Sequence, residues 1–259
     1  MHPAHQLSPG LVSITFRSLT PAAIIELAQK AGLYAIEWGG DIHVPPGDVA
    51  KAREVARQTT GAGLRVSSYG SYYRAGADPD SFRAILESAR ALAAPRIRVW
   101  AGQQDASKTA PGDRAAITAD LRRIARLAAG EGIRIALEFH GGTLTSEARS
   151  AAALFTDLAG EAVDAYWQPR VGASVPEALS DIAILSPWLC HAHVFQWNGI
   201  PDRFPLEDGA HAWPAYLHAL SQLSRPVEVQ LEYVRQDDPE QLLCDAACLR
   251  CWLATMNDA

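Results

Sequence analysis

The stretch that decides the fold of this chain reads IRIALE (133–138), then TSEARSAAALFTDLAG (145–160), then VDAYWQ (163–168). The two flanking runs are short and apolar, whereas the middle stretch has the length and amphipathic spacing of a helix. Apolar runs at this spacing are typical of parallel strands that are covered by helices. The stretch therefore predicts a strand–helix–strand unit with parallel strands.

The same alternation runs along the whole chain, because each of eight apolar runs precedes a helical stretch. The runs are LVSITF (11–16), LYAIEW (33–38), LRVSSY (64–69), IRVW (97–100), IRIALE (133–138), VDAYWQ (163–168), LCHAHV (189–194) and VEVQLE (227–232). Eight pairs predict closure into a (β/α)8 barrel rather than an open sheet. The 259 residues suit one such barrel and leave no linker for a second domain, so we expect a single α/β domain over residues 1–259.

Composition argues against a polyanion or a membrane as partner. The formal net charge is −6, the only lysines are Lys30, Lys51 and Lys108, and the arginines are scattered. Nucleic-acid binding usually needs a clustered basic face. No apolar run approaches the length of a membrane span, and residues 1–10 lack the layout of a secretion signal. We expect a cytoplasmic protein that contacts neither nucleic acid nor membrane; the sequence leaves a homo-oligomer open.

The four cysteines are Cys190, Cys244, Cys248 and Cys251. The last three follow a helical spacing, which would suit a metal or redox trio or, more simply, one face of the last helix packing on the barrel. We expect the second arrangement, with reduced thiols.

Four polar residues lie at or next to the ends of four predicted strands: Glu138, Gln168, His193 and Glu232. In a (β/α)8 barrel the carboxyl ends of different strands converge on one active-site mouth. Two carboxylates, an amide oxygen and an imidazole can together bind a divalent metal ion. The alternative role of Gln168 is a hydrogen bond that holds a loop, and that of Glu232 is an ion pair with an arginine.

Other side chains are expected around the same mouth. His140 lies two residues after Glu138, so in an extended segment both face the mouth, and an imidazole there can hold a substrate hydroxyl. His191 would lie one layer deeper than His193, as a hydrogen-bonded core histidine. Loops after strand ends build barrel active sites, and aromatic faces there pack well on sugars. The aromatic candidates are Trp38, Trp100 and Trp197. His43, after the second predicted strand, could reach the same mouth.

Several motifs resemble those of the xylose-isomerase-like TIM-barrel superfamily, which includes ketose epimerases, hydroxypyruvate isomerase, inosose dehydratase and the endonuclease IV group. They are IEWGGDIHV (36–44), LEFHGGTLT (137–145), HAHVFQW (191–197), PLEDGAHAW (205–213) and LEYV (231–234). The resemblance implies one divalent ion, Mn²⁺ or Mg²⁺, held by Glu138, the position of Gln168, His193 and Glu232. It also implies that Glu138 and Glu232 exchange the substrate proton.

The chain departs from that pattern at three places. Gln168 stands where the family usually has Asp, which leaves the ligand set with two negative charges instead of three. Val171 stands where a His is frequent. Arg203, after a longer loop, is the nearest candidate for the family's substrate-binding Arg.

The favoured function is a metal-dependent isomerase or epimerase of a small sugar or polyol derivative, acting through a metal-stabilised enediolate. A lyase or dehydratase that acts on a keto-sugar or keto-inositol through the same enolate is the first alternative. A non-catalytic sugar-binding barrel is the second, because Gln168 and Val171 depart from the family pattern. An endonuclease-IV-like repair enzyme is disfavoured, since LRVSSY (64–69) has no His and the chain is acidic. No glycine-rich phosphate cradle follows the seventh or eighth predicted strand, which favours an unphosphorylated substrate.

Overall fold

The structure is a computed structural model that describes residues 7–199 and 202–257, so the outermost residues of the predicted 1–259 domain lie outside the described residues. In the described part of the chain, eight parallel strands close into one barrel, as predicted. These strands are β1 (Leu7–Val12), β2 (Ala35–Gly39), β3 (Arg65–Arg74), β4 (Arg96–Trp100), β5 (Arg134–Leu137), β6 (Val163–Trp167), β7 (Leu189–Val194) and β10 (Val227–Leu231). Between β7 and β10, a short antiparallel hairpin is formed by β8 (Gln196–Trp197) and β9 (Arg203–Phe204).

Helices alternate with the barrel strands and cover them from outside. They are α1 (Pro21–Lys30), α2 (Val49–Gly61), α3 (Phe82–Ala91), α4 (Pro111–Ala129), α5 (Ala148–Asp157), α6 (Val175–Leu185), α7 (Trp213–Ser221) and α8 (Pro239–Asn257). Local signals set their ends. The Thr20 side chain accepts a hydrogen bond from the Ala23 amide at 3.3 Å, and Pro21 occupies the first turn of α1. Gly32, after the end of that helix, has a φ of 64°, which favours glycine.

The first strand differs from the prediction of 11–16. β1 ends at Val12, and Ser13–Phe16 form a 3-10 turn. Residues 7–11 pair with β10, from Leu7 opposite Val227 to Leu11 opposite Leu231. Ile14 and Phe16 are buried although they lie in the turn, so the apolar run continued past the end of the strand.

The amino-terminal end of the barrel is closed by a charged cluster around Asp164. Arg96, Arg134 and Arg225 approach its buried carboxylate at 3.0, 2.7 and 2.8 Å. A buried carboxylate is tolerated only when it is paired and hydrogen-bonded, and the arginines supply both. The cluster links β4, β5 and β6 at the end opposite to the predicted mouth.

The cysteine expectation is wrong in part. All four thiols are free, and Cys190 is buried beside Ala136 and Tyr166. Cys244 and Cys251 are exposed, because the face of α8 that packs on the barrel presents Leu242, Ala246 and Leu249 instead.

Within the described ranges, none of the helices combines the length and the apolar character needed to cross a bilayer.

Candidate active site

The structure brings together the four side chains expected at the carboxyl end of the barrel. His193 Nδ1 lies 3.3 Å from Gln168 Oε1, 3.4 Å from Glu232 Oε2 and 3.6 Å from Glu138 Oε1. Glu138 and Glu232 are held by strand-like bonds, since their amides donate to the carbonyls of Val99 and Val194 at 3.1 and 3.0 Å. Barrel closure therefore places these groups around one imidazole nitrogen.

Gln168 makes contacts that match both of its expected roles. Its Nε2 donates to the Phe139 carbonyl at 3.1 Å, which ties the segment after β6 to the segment after β5. Its Oε1 faces His193 Nδ1. The amide thus fixes the loop and at the same time presents a neutral oxygen to the cluster.

Arg98, in the middle of β4, contacts the cluster from within the barrel, which the sequence does not predict. Its side chain is 3% exposed; Nε lies 2.9 Å from Glu37 Oε1, and Nη1 pairs with Glu138 Oε2. The sequence predicts a site role for neither Arg98 nor Glu37, because both lie inside apolar runs rather than at the ends of the strands or in the loops that follow. The signal was present: IRVW (97–100) and LYAIEW (33–38) each carry a charge inside an apolar run, and a buried charge needs a partner.

Glu37 is fully buried, and two hydroxyl groups donate to one of its oxygens. Ser68 Oγ and Tyr166 Oη donate to its Oε2 at 2.6 and 2.8 Å. The Tyr166 ring in turn stacks on His191 at 4.3 Å, which places His191 one layer below His193, as expected. The His191 Nδ1 contacts Cys190 Sγ at 3.2 Å, whereas its Nε2 has no hydrogen-bond partner in the described structure.

The two candidate catalytic carboxyls have different environments. Burial raises the pKa of Glu232 to about 7, and the charges of Glu138 and Glu37 act in the same direction. Burial also acts to raise the pKa of Glu138, but the positive charge of Arg98 outweighs it and holds that pKa below its usual value. Burial lowers the pKa of His191, which is therefore neutral.

The arrangement does not fit the predicted divalent ion as it stands. Among the described residues, no group of three or more His, Cys, Asp or Glu side chains is placed so that it could hold a metal ion. One oxygen of Glu138 already accepts from Arg98 and from Trp100 Nε1. Gln168 contributes no charge, so the donor set has two negative charges, and one oxygen of Glu138 is already engaged.

Of the predicted substrate contacts, His140, Trp100 and Trp197 lie at the mouth. Trp100 and His140 are 5.3 Å apart between ring centroids. Trp197 stacks on Tyr233 at 5.2 Å, and the Arg203 guanidinium lies 4.7 Å from the centroid of the same tyrosine ring. Arg203 also pairs with Asp237, so its position is set within the loops after β7 and β10.

The predictions for Trp38 and His43 are corrected by the structure. Glu37 faces the barrel interior, so the next residue, Trp38, faces α2, where its Nε1 donates to Thr59 Oγ1 at 3.2 Å. Trp38 is fully buried. His43 packs edge-on against Trp38 and hydrogen-bonds Ser13 Oγ at 2.9 Å, with 3% of its surface exposed. Neither ring is available to a ligand in the mouth.

A cavity of about 480 Å³ opens beside the cluster. His140, Gln168 and Trp197 line it together with Phe195 and, on its outer side, Arg170. Gln168 lines this cavity, and its Oε1 also lies 3.3 Å from His193 Nδ1, so Gln168 is the residue shared by the cavity and the cluster.

Comparisons with known proteins agree with this architecture. A family model described as "xylose isomerase-like TIM barrel" matches residues 25–250. None of the curated proteins matches the chain significantly. The probable 3-DHS dehydratase AsbF of Bacillus anthracis superimposes with a TM-score of 0.79 at 18% identity, over 94% of this chain and 98% of that one.

Two further solved structures are similar. A xylose isomerase-like TIM barrel protein from Mycobacterium smegmatis, in complex with magnesium, gives a TM-score of 0.74 at 15% identity, with 99% of each chain covered. D-psicose 3-epimerase in the presence of D-fructose gives 0.73 at 16% identity, over 96% of this chain and 99% of that one. At these identities the likeness shows a shared fold.

Proposed function

The chain belongs to the xylose isomerase-like TIM barrel family, and we propose that it is an enzyme that moves a proton at a carbon atom beside a carbonyl of a small carbohydrate. The observation that carries this proposal is the pair of buried carboxyls, Glu138 and Glu232, on either side of His193 Nδ1 at 3.6 and 3.4 Å. The cavity lined by His140, Gln168 and Trp197 shares Gln168 with this cluster, since Gln168 Oε1 lies 3.3 Å from His193 Nδ1.

The chemistry needs two groups that exchange a proton with carbon. One carboxylate removes the proton beside the carbonyl and leaves an enediolate. The other carboxyl then donates its own proton to the opposite face of the same carbon, which gives epimerisation. Donation to the former carbonyl carbon, with transfer of the hydroxyl proton to the former carbonyl oxygen, gives isomerisation. Glu232 and Glu138 take these two roles. The Arg98 guanidinium offsets part of the negative charge that accumulates in the cluster.

A dehydratase is the second candidate function, supported by the fold shared with the probable 3-DHS dehydratase. Epimerisation beside a carbonyl and elimination of a β-hydroxyl both begin with removal of the same kind of proton. Elimination then needs only an acid for the leaving hydroxyl, which one of the two glutamates can supply.

The substrate we propose is small, polyhydroxylated and unphosphorylated. The rings of Trp100 and Trp197 at the mouth would pack on its C–H faces, His140 would hold a hydroxyl, and Arg203 would contribute from the β8–β9 hairpin. A sugar-binding protein without catalysis would need the rings but not two buried carboxyls, whose burial costs free energy.

The experiment is solvent exchange. Ketoses and keto-inositols are incubated with the protein in D₂O, and deuterium at the carbon beside the carbonyl is followed by NMR and mass spectrometry. We expect exchange with the wild type and its loss in Glu138→Gln and Glu232→Gln. Glu228→Gln is the control, because Glu228 lies on β10 but pairs with Arg65 at 2.9 Å, away from the mouth. Product without solvent deuterium, or full exchange in both mouth variants, would contradict the proposal.

A further inference from the structure

The guanidinium of Arg98 lies where a cation is needed in the candidate site. We propose that Arg98 is the resident cation of this mouth and that a divalent metal ion binds there only when Arg98 has left Glu138. The inference goes beyond the proposed reaction, since it concerns which cation balances the carboxylates.

Arg98 is held in a place built for it. The Nε atom of its guanidinium contacts Glu37 on β2, and the Nη1 atom contacts Glu138 after β5. The side chain is almost completely buried. The rings of Tyr72 and Trp100 flank it, with the guanidinium carbon 6.0 and 5.9 Å from their centroids. A side chain at this position therefore cannot swing freely into solvent.

Gly70 on β3 makes the room for this ion pair. A Cβ atom at Gly70 would lie 2.7 Å from Glu37 Oε1 and 3.0 Å from Arg98 Nη2. Both distances are shorter than ordinary contacts, so a side chain at position 70 would push the two partners. The lack of a side chain at position 70 therefore leaves the space in which Arg98 contacts Glu37.

The charges explain why the two cations exclude each other. The three residues around His193 Nδ1 carry two carboxylates, because Gln168 is neutral, and Glu37 adds a third carboxylate beside Arg98. A metal ion at His193 Nδ1 would need an oxygen of Glu138 and would lie close to the guanidinium, in an interior where like charges repel more strongly than in water. With Arg98 in place, Glu138 already has its positive partner.

The test is Mn²⁺ binding without substrate, measured by calorimetry and by electron paramagnetic resonance. We expect Arg98→Gln to bind one Mn²⁺ at least about ten-fold more tightly than the wild type, because the competing positive charge is gone. Arg98→Lys keeps a positive charge beside Glu138 and should therefore bind Mn²⁺ less tightly than Arg98→Gln. Arg96→Gln is the matched control: it removes an arginine from the same strand, but one that pairs with Asp164 at the other end of the barrel.

A second variant covers the case in which Arg98→Gln does not fold. Gly70→Ala removes no charged side chain but pushes Arg98 and Glu37 from their positions, so it too should bind Mn²⁺ more tightly than the wild type. The proposal is overturned if the wild type binds one Mn²⁺ as tightly as the folded variants. Because no substrate is used, this result is independent of the deuterium-exchange test of the proposed reaction.

Discussion

The carboxylate of Glu37 shows how single residues determine the interior of this barrel. It accepts hydrogen bonds from Ser68 on β3 and Tyr166 on β6, and it contacts Arg98 on β4. A buried carboxylate is costly unless such partners satisfy it. Side chains far apart in the sequence are therefore locked together directly beneath the mouth.

Replacing Tyr166 by Phe should destabilise the protein by about 1–3 kcal/mol, because Glu37 loses a buried donor while the ring stacked on His191 remains. Urea denaturation followed by circular dichroism measures the change. Tyr216→Phe is the control: that ring is also buried, but its hydroxyl makes no hydrogen bond within residues 7–199 and 202–257. Equal losses in the two variants would speak against the Tyr166–Glu37 bond.

At the scale of the element, the alternation of side chains along a strand assigns opposite roles to neighbours. On β2, Glu37 faces the interior and Trp38 faces α2. Position at a strand end was therefore not sufficient to place Trp38 in the site. In contrast to Trp38, the aromatic residues Trp197, after β7, and Tyr233, after β10, stack on each other at the mouth.

Trp38→Phe should lower the free energy of unfolding by about 1–3 kcal/mol, because it removes buried volume and the hydrogen bond to Thr59. It should leave the affinity for a responsive sugar unchanged. Trp197→Ala should have the reverse profile, with weaker sugar binding and a smaller effect on stability. Urea denaturation and ligand titration of both variants measure these effects. Weakened sugar binding in Trp38→Phe would show that Trp38 contributes to the ligand site.

At the scale of the whole molecule, the two ends of the barrel differ in role. The carboxyl end holds the candidate site, whereas the amino end holds Asp164 among Arg96, Arg134 and Arg225. This division is usual in barrels of this kind. Burial acts to raise the pKa of Asp164, but hydrogen bonds from Arg134 and Arg225 and their charges outweigh it, so that pKa is lowered.

A lowered pKa in the folded state stabilises the protein above the unfolded pKa of an aspartate, about 3.9, and this contribution is lost as the pH falls through the folded value. Asp164→Asn should therefore cost about 3–5 kcal/mol at pH 7, since three arginines lose their buried partner. It should also remove part of the acid-induced loss of stability. Urea denaturation between pH 7 and pH 3 measures both effects.

Asp157→Asn is the matched control for that series, because Asp157 forms an exposed pair with Arg114 at 2.8 Å. An exposed pair contributes at most about 1 kcal/mol. If both variants gave the same pH profile, the Asp164 cluster would not be the source of the acid sensitivity.

The sequence alone determined the barrel and the meeting of Glu138, Gln168, His193 and Glu232. The apolar runs have a local cadence, and parallel strands in a closed barrel bring their carboxyl ends to the same side. The sequence did not give the boundaries: β1 stops at Val12 because its pairing ends at Leu11 on the β10 side and at Val12 on the β2 side, although the apolar run continues through a buried turn.

Only the tertiary structure decided which charges meet inside the barrel. Glu37 lies on β2, Arg98 on β4 and Glu138 directly after β5, and their contact depends on strand order, register and the space left by Gly70. The facing of Trp38 likewise depends on the phase of β2 relative to its neighbours. The reason is physical: apolar periodicity is a local property of the chain, whereas ion pairing inside a barrel depends on distances that exist only after the strands have closed.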